Sequence, residues 1–191
     1  MNDPIDTGPG RARITRRQAL GGIGGGLVAA ALAPGGAEAA PFPKPHSREE
    51  AVSPIGRRGC TVTSLPTGMV LVAGGLQTNP TGMVQIYDPL RREWFDAAPM
   101  NTPRAHHAAA VLYDGRILVA GGRFINVLTS AEIYDPRRNE WTVIAPMNGP
   151  RAEHGAASVH PAGVLVTGGT FRTPLSTAEL YDPFMDRWLI L

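Results

Sequence analysis

Apolar positions between residues 104 and 150 fall in short runs, and none has the three-and-four spacing of an amphipathic helix. Ala108 to Tyr113 is a small apolar run. Asp114-Gly115 is a tight-turn pair, and Arg116-Ile117-Leu118-Val119-Ala120 is a second, β-rich run. Two such runs joined by Asp-Gly predict a hairpin. A looser segment from Arg123 to Ser130 leads to a short strand ending at Tyr134, and Asp135-Pro136-Arg137-Arg138-Asn139 turns into a fourth strand around Trp141. Proline fixes its own φ and restrains the residue before it, so Asp-Pro makes a dependable turn.

The same order of letters returns 47 residues away in both directions. The glycine pair Gly121-Gly122 recurs as Gly74-Gly75 and Gly168-Gly169. Tyr134-Asp135-Pro136 recurs as Tyr87-Asp88-Pro89 and Tyr181-Asp182-Pro183, Trp141 as Trp94 and Trp188, and Arg104 as Arg57 and Arg151. Pro66-Thr67-Gly68 and Pro161-Ala162-Gly163 stand where the middle unit has its Asp-Gly turn. A fixed period of this length marks stacked copies of one supersecondary unit. Four short antiparallel strands per unit describe a propeller blade. The glycine pair would let neighbouring sheets approach closely. Tyr134 and Trp141 would fill the space between blades, each burying on the order of 150–250 Å².

The set Arg104, Gly121-Gly122, Tyr134-Asp135 and Trp141, present three times, resembles the kelch repeat over 57–191; the Trp-Asp dipeptide of WD40 repeats is absent. The resemblance implies an all-β fold, a partial kelch-type β-propeller of three four-stranded blades at 57–103, 104–150 and 151–191. Kelch propellers usually close with six or seven blades. The third unit reaches Trp188-Leu189-Ile190-Leu191 without a counterpart of Pro146-Met147. An open stack leaves outer sheet faces bare, and such faces promote association. Two expectations follow: a shortened version of a longer protein, or copies that complete a ring by pairing the face near Val62 with that near Val166.

Residues 1–39 stand outside the repeat. Arg16-Arg17 directly precedes a mildly apolar Gly/Ala stretch, and Ala37-Glu38-Ala39 is a small-x-small cleavage pattern. This order predicts an export signal that resembles the twin-arginine type, with cleavage after Ala39 and a secreted or periplasmic product. The stretch from Ala19 to Ala33 is too short and too rich in glycine for a stable membrane anchor. Residues 40–56, with Pro41, Pro43, Pro45 and Pro54, read as an extended linker.

Composition narrows the function classes. An apolar fraction of 43% suits a globular domain, and a formal charge of +2 without a basic block in the repeats argues against nucleic-acid binding. The lone Cys60 excludes an internal disulfide and multi-cysteine metal motifs. No Gly-x-Ser-x-Gly, phosphate loop or zinc-helix motif occurs.

Arg57, Arg104 and Arg151 lie where the chain returns from an outer strand to the next inner one. In kelch proteins such loops often touch ligands, whereas recurrence in every unit favours a brace for the turn. Cys60, His107 and His154 share one phase of the repeat and so would sit on successive inner strands. A metal site there is the weaker reading, because equivalent atoms of neighbouring blades lie far apart. His106 and His160 lack such partners. Asp88, Asp135 and Asp182 read as turn formers, and Glu132, Glu179 and Gln85 as structural.

The loops that differ between units, 76–82, 123–129 and 170–176, are where specificity would reside, with Arg123, Asn126 and Arg172 as candidate contacts. The expected activity is therefore an exported binding module for a protein or carbohydrate ligand, without a cofactor. The resemblance also implies an alternative, a relative of the galactose-oxidase branch, which holds copper with Tyr and His and carries a Tyr-Cys crosslink. Against it, Cys60 is the only cysteine, and Tyr87, Tyr134 and Tyr181 are repeat residues.

Overall fold

The computed structural model describes residues 56–191. The export signal expected over 1–39, with Arg16, Arg17, Ala37 and Ala39, lies outside the described residues, as does nearly all of the proline-rich segment. The described residues contain strands, turns and no helix.

The first unit forms β1 (Thr61–Ser64), β2 (Val70–Ala73), β3 (Val84–Asp88) and β4 (Glu93–Ala97). The second forms β5 (Ala108–Val111), β6 (Ile117–Ala120), β7 (Ala131–Asp135) and β8 (Glu140–Ile144). The third holds β9 (Gly155–Val159), β10 (Gly163–Thr167), a short hairpin of β11 (Thr170–Phe171) and β12 (Thr173–Pro174), then β13 (Ala178–Asp182) and β14 (Arg187–Ile190). Each unit is one four-stranded antiparallel sheet with its strands in chain order. The extra hairpin departs from the loop expected over 170–176. Arg172 at its tip takes the left-handed conformation, φ 64°, that lets two residues on either side pair.

The Tyr-Asp-Pro and Trp letters recur together because they face each other across the third and fourth strands. Tyr87 pairs with Trp94, Tyr134 with Trp141 and Tyr181 with Trp188. Their ring centroids lie 4.9, 5.0 and 5.2 Å apart. The turn between them is closed by the aspartate. Oδ1 of Asp135 accepts the N–H groups of Arg137 and Arg138, and Asp88 and Asp182 do the same for Leu90-Arg91 and Phe184-Met185.

Strand β6 is buried along its whole length because a sheet covers each of its faces. Ile117 and Val119 join Leu65, Leu71, Ile86 and Tyr134 in the layer between the first and second sheets. Leu118 and Ala120 join Val164, Val166, Tyr181 and Trp188 in the layer between the second and third. A period of two along the strand thus feeds two cores. Val166 is wholly buried in the inner layer. It is therefore not on the open face expected for it; Leu165 and Thr167 alternate with it and point the other way.

The junction between sheets is built twice in the same way. Gly75 N–H donates to the Arg104 carbonyl at 2.9 Å, and Gly122 N–H to that of Arg151 at 2.8 Å. Trp141 Nε1 donates to the Ala98 carbonyl and Trp188 Nε1 to that of Ala145, both at 2.8 Å. A side chain at Gly121, φ +63°, would place its Cβ 2.4 Å from the Arg151 carbonyl oxygen. At Gly168, φ +67°, the nearest atom would be the Leu175 oxygen at 3.8 Å. Val62, on the opposite outer face, is 68% exposed, whereas its equivalents Ala109 and Ala156 pack against the two cores.

Candidate functional site

The antiparallel order sends the β2–β3, β6–β7 and β10–β13 connections to one end of the strands, together with the loops that pass from one sheet to the next. These passing loops carry Arg104 and Arg151, and Arg57 holds the same place ahead of β1. Arg104 is fully buried; its Nη1 donates to the Gly121 and Ser130 carbonyls at 3.0 and 2.8 Å, and its Nη2 donates to Glu132 at 2.8 Å. Arg151 repeats the pattern on Gly168, Thr177 and Glu179. Arg57 is half-buried and donates to the Met83 and Val72 carbonyls and to the neutral Gln85. The guanidinium groups of Arg104 and Arg151 are thereby turned into the fold. Burial lowers the Arg104 pKa from its ordinary value, and the adjoining Glu132 carboxylate opposes that shift.

The acids at the centre of these braces gather more than an arginine. Glu132 also accepts the backbone N–H groups of Asn101 and Thr102 at 2.8 and 2.9 Å, and Glu179 those of Asn148 and Gly149 at 2.7 and 3.2 Å. Burial alone would raise the Glu179 pKa, yet the bonds from Asn148, Arg151 and Gly149 bring it below the usual carboxylate value.

Arg123, Asn126 and Arg172 come together above these braces. With Phe124, Ile125, Val127, Glu153, Thr170 and Phe171 they line a cleft of about 700 Å³ between the variable loop of the second unit and the β11–β12 hairpin. Arg123 Nη2 donates to Thr170 Oγ1 at 3.3 Å, and the Arg172 guanidinium lies 5.4 Å from the Phe171 ring centre. Phe124, Ile125 and Phe171 are all exposed, at 42, 84 and 37%. The cleft combines arginine cations, exposed aromatic and aliphatic surface and one carboxylate.

Glu153, Phe124 and Phe171 were not singled out from the sequence, and a signal for Glu153 was present. Gly59, His106 and Glu153 share one phase of the repeat, and each adopts positive φ, at 65, 57 and 58°. His106 N–H donates to the Gly59 carbonyl at 2.7 Å, and Glu153 N–H to that of His106 at 2.8 Å. His106, which lies outside the Cys60, His107 and His154 set, is the middle of this series. The non-glycine residues hold a conformation that costs roughly 1–2 kcal/mol each, and Glu153 does so at the cleft.

Cys60, His107 and His154 sit one residue before β1, β5 and β9 rather than on them. His107 Nε2 lies 3.0 Å from Thr61 Oγ1, and neither ring nitrogen of His154 has a partner among the described residues. Burial, reinforced by the nearby Arg104 charge, pushes the His107 pKa down to about 3; burial and Arg151 hold His154 at about 4. Among the described residues no three His, Cys, Asp or Glu side chains converge on a metal position. The residues also do not fit a copper site of the oxidase type. The Tyr134 and Tyr181 hydroxyls donate to Asn139 and Asp186, and Cys60 Sγ faces the Arg57 carbonyl at 3.9 Å.

Three four-stranded sheets, stacked through glycine pairs and stapled by tryptophans, define a blade repeat of propeller type. The Kelch motif model matches residues 104–148, and the sheets on either side repeat that segment's register. The chain is a kelch-repeat protein, of a class whose members generally serve as protein-interaction modules. No curated protein matches it.

Proposed function

We propose that the chain is an exported binding module that holds a protein ligand in the cleft between the 123–127 loop and the β11–β12 hairpin. The supporting observation is the lining of that cleft. Arginine and aromatic side chains dominate the energetically important centres of protein interfaces, and here they are exposed together on a braced scaffold. A carbohydrate ligand is the second reading, favoured by the rings of Phe124 and Phe171, on which a sugar face could stack.

A peptide display library and a glycan array, both probed with the full chain, separate the two. A peptide ligand whose binding is lost in Phe124→Ser/Phe171→Ser supports the protein reading. Binding to glycans alone, lost in the same variant, favours the second. A ligand indifferent to both substitutions would overturn the assignment of the cleft.

Export is supported by Arg16-Arg17 before the apolar stretch and by Ala37-Glu38-Ala39 after it. Self-association is supported by two outer faces that no sheet covers among the described residues, Val62 on one side and Gly168 on the other. A second copy of the chain offers each face the surface that its counterpart already meets inside the stack.

A further inference from the structure

A second cavity, of about 500 Å³, lies at the opposite end of the strands, between the first and second sheets. The topology separates it from the cleft: the β1–β2, β5–β6 and β7–β8 turns form it, and all of them fall at the far end. Leu65, Pro66 and Met69 supply its apolar wall, and Arg116, Arg137 and Arg138 stand on its rim. Small-molecule sites run to about 300–1,000 Å³, with mainly apolar walls and a few charged or polar groups that orient the ligand.

The three arginines differ in what they have left to offer. Arg116 Nε is held by Asp114 at 2.7 Å. Arg137 and Arg138 have their backbone N–H groups fixed by Asp135, at 2.8 and 3.3 Å, while their side chains are exposed and form no ion pair among the described residues. The turn is thus rigid where the two cations leave it.

The repeat supplies an internal control. The equivalent turn of the first unit carries Leu90 and Arg91, and Arg91 is tied to Asp88 at 2.9 Å. In the third unit the same places hold Phe184 and Met185, and Gly163 stands where Arg116 does. At the corresponding junction between the second and third sheets, Tyr113 instead meets the His160 ring edge-on at 6.1 Å. Residues needed to stack blades recur in every unit; this constellation occurs once, so blade stacking does not account for it.

We propose that this cavity binds a small organic acid with an apolar body, its hydrocarbon part against Leu65, Pro66 and Met69 and its carboxylate on the Arg137 and Arg138 guanidinium groups. Guanidinium presents paired N–H donors in the geometry of a carboxylate, and partial burial of the apolar body strengthens the pairing. The site is separate from the proposed protein-binding cleft, and either can stand without the other.

Isothermal titration of the full chain with 2-naphthoate and with its neutral isostere 2-naphthamide tests it. Saturable naphthoate binding is expected, with the amide weaker by roughly tenfold, the loss of one charge-assisted pair. Arg137→Ser/Arg138→Ser removes that preference, whereas Arg123→Ser/Arg172→Ser in the other cleft leaves it intact. Should the double serine variant melt differently from the parent, Arg137→Lys/Arg138→Lys keeps the charge but removes the paired N–H donors, and it is expected to bind naphthoate more weakly than the parent while still preferring it to the amide. Equal affinity for acid and amide, no saturation at concentrations on the order of 5 mM, or loss of binding in the Arg123/Arg172 variant would each overturn the proposal.

Discussion

Arg104 Nη2 and Glu132 Oε1 meet at 2.8 Å with both side chains wholly out of solvent. The pair ties the loop that leaves the first sheet to the third strand of the second, and the same carboxylate accepts two backbone N–H groups of that loop. Removing one charge from a buried pair strands the other, at a cost of about 3–5 kcal/mol. Glu132→Gln is therefore expected to lower stability by that amount. In the first unit the partner of Arg57 is already neutral, so Gln85→Leu should cost only about 1–3 kcal/mol. Urea unfolding of the two variants decides the matter; equal losses would show that the charge of Glu132 contributes nothing beyond a hydrogen bond.

Gly121 and Gly168 share a backbone conformation but not a neighbourhood. Gly168→Ala meets only the left-handed penalty, about 1–2 kcal/mol. Gly121→Ala adds a collision with the Arg151 carbonyl, and overpacking of this kind brings a further 1–3 kcal/mol or so. Thermal unfolding should rank the Gly121 variant clearly below the Gly168 variant. The reverse order would mean that the second and third sheets are not held as closely as Gly122 and Arg151 indicate.

Much of this architecture was legible because each repeated letter has a repeated partner. Tyr134 and Trp141 recur together since they pair across two strands, and Gly121-Gly122 recurs since it abuts the next blade. What the sequence could not deliver was direction. Val166 and Leu165 are both ordinary strand residues, and only the packing of β10 shows which of them faces the second sheet. The cleft was half-visible: Arg123, Asn126 and Arg172 lie in loops that vary between units, but nothing in their spacing shows that a hairpin brings Phe171 beside them. The cavity at the other end was hidden for a similar reason, since Met69 and Arg137 are distant in the chain and join only across two sheets.

His107 and His154 make stability depend on mild acid. Their folded pKa values of about 3 and 4 lie below the ordinary value of about 6.5, so below that pH the unfolded chain takes up protons that the folded chain refuses. The stabilisation is present above pH 6.5 and is lost as pH falls toward 4. Between pH 6.5 and 5 each histidine accounts for on the order of 2 kcal/mol. His154→Leu, which removes a ring with no hydrogen-bond partner, should shrink that loss by about one histidine's share. An unchanged slope of stability against pH over this window would rule out the buried neutral ring.

Arg16-Arg17 is expected to be required for export. Replacing both with lysine keeps the charge but removes the paired guanidinium groups, and the precursor should accumulate in the cytoplasm while the parent appears outside with Ala40 at its N-terminus. N-terminal sequencing of the exported protein checks the cleavage; Met1 on exported material would exclude a cleaved signal.

Val62 and Gly168 mark the two outer faces of the stack, and each, unlike its equivalents, has no sheet beside it among the described residues. Blade arrays draw their stability from nearest-neighbour interfaces, and bare outer faces are a source of association. A contact that joins the Val62 face of one copy to the Gly168 face of another is head-to-tail, and two such contacts between two copies close a ring of six blades. Light scattering on the protein beginning at Ala40 should therefore report a dimer. Val62→Lys places a charge at the centre of that contact, on a side chain already exposed to solvent, so it should shift the mass to the monomer without lowering the melting temperature of the individual chain. A parent protein that stays monomeric at all concentrations, or a dimer indifferent to Val62→Lys, would show that these faces do not meet.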